Sequence, residues 1–452
     1  MPGSNPNKPR IRIAGGAGYA GDRWEPALEC VEQGGVDYLV FETLAERTIA
    51  LAQLEKLAMP ERGYNPQLEA RLGAVLPAAI ERGVRIVTNM GAANPLAAGQ
   101  VVLDIVRRAG LAPVKVAVVL GDDVLDAVRT LDAPLMEATG TLDALRPHLV
   151  SANAYLGADV VAQALATGAD VVVTGRTADP SLFVGCMLHG LGWSYDDYGR
   201  LGQATLVGHL LECAGQVTGG YFADPGYKDV PDLGRLGFPI GEVDVDGCAS
   251  ITKVAGSGGL VTPATCKEQL LYEVRDPASY YTPDCVADFS QVTVAEREPD
   301  CVEVRGALAR PRTPTYKVSV GYRAGYIGDG QVAYAGPGAA DRARLAAQIV
   351  RERIALRGLP VEELRVDLIG ISALHGAAAQ VCGDPYEVRV RVAGRTQRRE
   401  DAYALGMEVQ TLLTNGPYGG AGDFVQVREV VGVRSILLDR DRVRPEVRVL
   451  AA

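Results

Sequence analysis

The chain has 452 residues, 48% hydrophobic and 22% charged, enough for a large core and most naturally for two domains. A formal net charge of -10 without any run of Lys or Arg argues against a nucleic-acid surface. No apolar segment approaches the roughly 20 residues of a membrane span, and the opening "MPGSNPNKPR" is polar, so a soluble, cytoplasmic protein acting on a small molecule is expected.

Eight cysteines (Cys30, Cys186, Cys213, Cys248, Cys266, Cys285, Cys301 and Cys382) stand singly, with no CxxC and no zinc-like Cys/His spacing, and read as reduced thiols. The 53 glycines fall in short clusters after apolar runs, where tight strand-to-helix turns need them.

In chain order, one theme repeats: a β-branched run, a polar or glycine-rich break, then helical periodicity. "IRIAGGAGYAGD" leads to "RWEPALECVEQG", "DYLVFETLAERT" to "IALAQLEKLA", and "RIVTNMGAANP" to "LAAGQVVLDIVRRAG". "VKVAVVLGDD" and "HLVSANAYLGADVVAQALATGADVVVTGRTADPS" continue it. Such alternation predicts βαβ units around a parallel sheet covered on both faces. Between about 194 and 300 two helices are expected, in "YGRLGQATLVGHLLECAGQ" and "TCKEQLLYEVRDP", joined by loop-like segments that elaborate the first domain. Beyond 300, a hairpin or strand, a helix, two strands, a helix and one or two final strands follow the order of a ferredoxin-like split motif. The expected fold class is therefore α/β, with a parallel-sheet βα-repeat domain over 9–300 and a ferredoxin-like α+β domain over 301–452. In "LLTNGPYGGAG" the helix is expected to stop with Asn415 or Gly416 left-handed before Pro417.

Ligands of parallel sheets sit beyond the carboxyl ends of the strands, so the residues after each apolar run are the candidates. They are Tyr19 and Asp22; Glu42; Thr88, Asn89 and Asn94; Asp122 and Asp123; Asn153 and Tyr155; and Thr174, Arg176 and Asp179. Asp22 and Asp179 also suit helix caps, and Asn89 and Asn94 suit Asx turns. Glu42 directly follows "DYLVF", where a carboxylate must be paired, solvated in a cleft or protonated. Arg176 offers a planar fork to a substrate carboxylate, or an ion pair to Asp179. In "GHLLEC", His209 and Glu212 stand three apart on one helix face, as an acid orienting an imidazole or as a core pair.

Gly16, Gly18 and Gly21 match GxGxxG, with Asp22 beside them and Glu42 at the distance of a ribose-binding acid, which keeps NAD as an alternative. No HExxH, GxSxG or P-loop lysine occurs. No cofactor is fixed by the sequence; oxygen ligands from Glu42, Asp122 or Asp179 would favour a hard ion such as Mg²⁺.

The strings "RIAGGAGYAGD", "LVFETLAERT", "VTNMGAANP", "TGRTADPSL", "GHLLECAGQVTGGYFADPG", "ITKVAGSGGLVT", "TCKEQLLYEVRDP" and "LLTNGPYGGAG", in this order along nearly the whole chain, resemble the AtuA family of acyclic terpene utilisation proteins. That resemblance implies a role on branched acyl-CoA compounds, with CoA as part of the substrate and a lyase step on a 3-hydroxy-3-isohexenylglutaryl-CoA-like compound. For such a step Glu42 or Asp179 is the candidate base, Asn89, Asn94 and Asn153 the amide donors, and Arg176 the carboxylate anchor. A hydratase or dehydratase would use nearly the same parts. A non-catalytic scaffold subunit is the other reading, disfavoured by the polar strand-end edge. A homo-oligomer, with no nucleic-acid or membrane partner, is expected.

Overall fold

The computed structural model describes residues 8–111, 113–380 and 383–451, so Cys382 lies outside the described residues. The other seven cysteines are free thiols. No described helix is long and apolar enough to cross a membrane.

The first six strands are β1 (Arg10–Ala17), β2 (Tyr38–Phe41), β3 (Arg85–Thr88), β4 (Lys115–Leu120), β5 (Leu149–Ala154) and β6 (Val171–Val173). Strands β1, β2, β3, β6 and β4 lie side by side in that order, all parallel. The helices among and after them are α1 (Glu25–Gln33), α2 (Glu46–Ala58), α3 (Leu68–Arg82), α4 (Pro95–Arg108), α5 (Leu125–Arg129), α6 (Ala158–Ala166), α7 (Asp179–Leu191) and α8 (Tyr198–Glu212). Prolines open α4 and α7 where the missing N–H costs nothing, and Gly83 and Gly192 close α3 and α7 in the left-handed region at φ 69° and 67°.

Both sheet faces are dry, which is why the strands are continuously apolar. Leu39, Phe41, Ile86, Val116 and Val118 pack with Cys30, Leu72, Leu76 and Val102 from α1, α3 and α4. Ile11, Ile13, Val40, Val87 and Val119 pack with Val161, Phe183, Met187, Leu206 and Leu210 from α6, α7 and α8.

The expected purely parallel sheet is only the middle of a larger mixed one. Next come β7 (Pro239–Asp244), β8 (Ala249–Lys253), α9 (Pro263–Leu271), β9 (Tyr280–Tyr281), β10 (Cys285–Asp288), β11 (Thr293–Glu298), β12 (Cys301–Arg305) and β13 (Leu308–Pro311). Antiparallel β7, β8, β12 and β11 extend the sheet outward from β1. Strands β13, β10 and β9 form a small separate sheet in that order. Strands β7 to β11 occupy the segment read as loop-like, because short strands broken by glycine turns leave little periodicity. Strand β5, expected among the parallel set, lies outside it and pairs with β14 (Thr315–Ala335); Tyr155 N donates to Lys317 O at 3.0 Å.

The chain ends with α10 (Ala339–Arg357), β15 (Glu363–Ile369), β16 (Glu387–Thr396), α11 (Arg399–Gln410), α12 (Leu412–Asn415), β17 (Ala421–Asp439) and β18 (Glu446–Ala451). Two compact units result, one of residues 1–321 and 433–452 and one of 322–432. This differs from the expected boundary at 300 and from a second domain reaching 452: β18 pairs antiparallel with β4 and completes the ten-stranded sheet of the first unit. Nothing in its local pattern announces that partner. The second unit has strand order β15-β16-β14-β17, and Val332, Val388, Val390 and Val392 pack under Ala343, Val350, Leu405 and Val409 of α10 and α11. Gly416 is extended at φ -112°, so α12 does not end in the left-handed stop expected of it.

Candidate active site

Because β1, β2, β3, β6 and β4 run the same way, the segments that leave them meet at one edge. Glu42 stands one residue past β2 and is 7% exposed. Its Oε1 accepts from Leu44 N and from Asn89 Nδ2, both at 2.8 Å. Asn89, fully buried one residue past β3, accepts with Oδ1 from Thr43 N at 2.8 Å and Thr43 Oγ1 at 3.2 Å. One amide thus ties the two strand ends together and leaves Glu42 Oε2 without a hydrogen-bond partner among the described residues. Burial, then the charge of Asp179, push the Glu42 carboxyl up to about 8, although Arg176 and the two donors oppose this. At neutral pH Glu42 is protonated. Gly91 is required beside it: a Cβ there would lie 2.4 Å from Thr174 O.

Arg176, 1% exposed, follows β6. Its guanidinium donates to Leu44 O, Thr177 O and Asp179 Oδ1 and lies 4.3 Å from the centroid of the Tyr155 ring. Burial acts against its charge, but Asp179, Tyr155, Glu42 and Glu46 raise its pKa overall. Burial also raises Asp179, with Arg176 opposing. Since Asp179 has the direct guanidinium contact and Glu42 does not, the shared negative charge resides on Asp179 and the proton on Glu42. Glu46 Oε1 accepts from Tyr155 Oη at 2.5 Å and from Lys317 Nζ at 3.1 Å; against the effect of burial, these donors bring Glu46 down to about 2.

Asp122 lies beyond β4 and is raised by burial to about 6, while Arg176 N and Asn153 Nδ2, each donating at 2.9 Å, hold it. A Cβ at Gly175 would lie 2.5 Å from Asp122 Oδ1, so the glycine of "TGR" makes room for this carboxylate. Asn153 Oδ1 is buried with no hydrogen-bond partner among the described residues. The amides of Asn89 and Asn153 therefore orient Glu42 and Asp122. Asn94 Nδ2 donates to Pro60 O at 2.9 Å and Arg62 O at 2.8 Å, which braces the loop before α4.

On α8, His209 is 1% exposed, stacked with Phe289 at 5.9 Å and tilted against Tyr280 at 5.1 Å. Nε2 faces the carbonyl of Leu270 at 3.2 Å and Nδ1 faces Glu212 Oε1 at 2.8 Å. Burial lowers His209 to about 4 and raises Glu212 far above the usual carboxylate range. A carbonyl can only accept, so the neutral imidazole carries its proton on Nε2 and Glu212 donates its own to Nδ1. The imidazole holds the acid in a buried neutral pair.

Two cavities adjoin these groups. A polar one of about 710 Å³ is walled by Asp22, Arg23, Glu42, Glu46, Asp179 and Glu212, together with Glu273 and aromatic rings. A second, of about 520 Å³, shares Glu46, Asp179 and Glu273 with it and is otherwise mostly aromatic and apolar. Sequence reasoning missed Arg23, Glu46 and Glu273. Arg23 and Glu46 stand one and four residues past the quoted Asp22 and Glu42, whereas Glu273 lies in "TCKEQLLYEVRDP", read as a helix and not as a strand end.

The glycine loop does not present a free anion cradle. Asp22 itself accepts from Gly18 N at 2.9 Å and Arg23 N at 2.8 Å, and α1 begins only at Glu25. Gly18 and Asp22 line the polar cavity, while Gly16 packs on Phe41 and Gly21 on Tyr19. Glu42 meets Leu44 N and Asn89 through Oε1 and lines the same cavity. Among the described residues, no group of three or more His, Cys, Asp or Glu is placed to hold a metal ion.

The model of one protein family, described as "Acyclic terpene utilisation family protein AtuA", matches residues 11–449. No curated protein and no solved structure matches the chain. The match spans the whole strand-end edge and both units, and the chain belongs to the AtuA family of acyclic terpene utilisation proteins.

Proposed function

We propose that the protein is a lyase that cleaves a carbon–carbon bond in a branched 3-hydroxy-dicarboxylyl thioester, using Asp179 as base and Glu42 as acid. The geometry that carries this reading is the unequal pair: Glu42, hydrogen-bonded only through Oε1 and pushed by burial up to about 8, and Asp179, whose carboxylate accepts from the Arg176 guanidinium. Asp179 takes the proton of the tertiary 3-hydroxyl. The C–O bond becomes a carbonyl, and the pair of the breaking C–C bond goes to the departing acetate carbon. Glu42 Oε2 protonates that carbon, a ketone and acetate leave, and the proton taken by Asp179 passes back to Glu42 through solvent, which restores both groups.

The expected anchor at Arg176 gives way to Arg23 in this scheme. With its donors directed to Leu44, Thr177 and Asp179, the Arg176 guanidinium sets the charge of Asp179, and Arg23 is the only Lys or Arg on the polar cavity wall among the described residues. Arg23 takes the free carboxylate of the substrate. Protonation of Glu42 and Glu212 reduces the negative charge that an anionic substrate meets. For the second unit we propose a ferredoxin-like split βαβ arrangement; its element order β14, α10, β15, β16, α11, β17 and its sheet order support this.

Incubation with 3-hydroxy-3-methylglutaryl and longer branched thioesters, read by mass spectrometry, tests the reaction. Acetate with the matching 3-oxoacyl thioester is expected. A product lighter by one water makes the protein a dehydratase and overturns the lyase reading.

A further inference from the structure

The cavity of about 520 Å³ is not needed by the polar chemistry. Its wall carries Met136, Tyr155, Tyr280, Tyr281, Pro283 and Leu437, and it meets the polar cavity at Glu46, Asp179 and Glu273. Met136, Tyr281 and Leu437 leave 54%, 68% and 50% of their surface exposed, a concentration of apolar side chains at one opening. A purely structural cleft would close over such groups, and the hydrophobic effect favours whatever covers them. Asp179 is the only one of the proposed reacting groups common to both cavities, so a molecule held by its polar end at Asp179 has this aromatic space as the place for an apolar extension.

We infer that the aromatic cavity binds the branched, acyclic isoprenoid chain of the substrate and sets chain-length specificity. This rests on the proposed reaction only for the position of the polar end. Tyr280 and Tyr281 offer apolar ring surface suited to an unsaturated chain, while Arg176 and Lys317 lie over the Tyr155 ring and Arg440 over the Tyr316 ring, and the volume lies within the range of small-molecule pockets. A hydrocarbon chain offers these walls no hydrogen-bonding group; selection comes from length and shape.

The probe is geraniol, a ten-carbon acyclic isoprenoid alcohol whose neutral head keeps the carboxylates out of the readout, compared with five-carbon prenol. Calorimetric titration of the full chain is expected to show geraniol bound about tenfold or more tightly than prenol, since each buried methylene contributes about fourfold. Leu437→Trp and Met136→Trp fill the opening from exposed positions and are expected to lower geraniol affinity about tenfold with an unchanged unfolding temperature. Leu356→Trp, at a position 78% exposed on α10, leaves it unaltered. Equal affinity for geraniol and prenol, or unchanged affinity in both cavity variants, overturns the inference. Turnover of the methylglutaryl and longer branched thioesters by the unaltered protein is scored separately: geraniol binding lost in L437W without turnover of any of them keeps the chain site and removes the lyase, while turnover with geraniol binding unaffected removes the chain site alone.

Discussion

Replacing Glu42 with glutamine tests the protonation state on which the site is built. In the native protein the Glu42 carboxyl is raised from 4.5 to about 8, chiefly by burial. A group whose folded pKa is raised binds its proton more tightly when folded, so folding stability falls as pH rises from the unfolded value through the folded one. At about 1.4 kcal/mol per unit, the cost of Glu42 is close to zero at pH 4, about 3 kcal/mol at pH 7 and about 5 kcal/mol above pH 8. In Glu42→Gln the amide oxygen can take the place of Oε1, accepting from Leu44 N and Asn89, with the amide NH₂ where the acid proton stood. Glu42→Gln should therefore match the unaltered protein at pH 4 and exceed it by roughly 3 kcal/mol at pH 7. Urea unfolding of both proteins from pH 4 to 9 measures the difference. A stability difference that stays flat across this range, or a variant that weakens as pH rises, would refute the argument.

Three further outcomes follow from the same geometry. Gly91→Ala should lose about 2 kcal/mol in urea unfolding, because its methyl would lie 2.4 Å from Thr174 O. Nitrogen-15 NMR of His209 should show the Nε2–H tautomer staying neutral down to about pH 4, and a midpoint near 6.5 would contradict the buried neutral pair. As its folded pKa is lowered, its neutral burial costs stability as pH falls from 6.5 toward 4, adding to acid unfolding. Arg23→Ala should raise KM for a free-carboxylate substrate by roughly 10- to 100-fold with little change in kcat, the scale of one charge-assisted contact.

The parallel centre of the sheet was legible because each strand ends in its own polar break, and Glu42, Asn89, Asp122 and Arg176 do share one edge. Pairing across long separations was not legible. Nothing in "PEVRVL" names β4 as its neighbour, and "VSANA" reads like a parallel strand although β5 pairs with β14. Residue chemistry named these strand ends together but could not divide labour within them. Asn89, Asn94 and Asn153 all offer amide donors in sequence, yet hydrogen-bond geometry directs them to Glu42, two loop carbonyls and Asp122. Arg176 looked like an anchor because its neighbours Leu44 and Tyr155 are far away in the chain. Glu212 gained its meaning only when the Leu270 carbonyl fixed the His209 tautomer.

The division between acid and base is tested most directly by kcat/KM for carbon–carbon cleavage as a function of pH. Glu42 as acid predicts activity that falls above about pH 8, where its proton is lost, and that is abolished in Asp179→Asn. Cleavage that instead rises through pH 8 would make Glu42 the base and contradict the assignment.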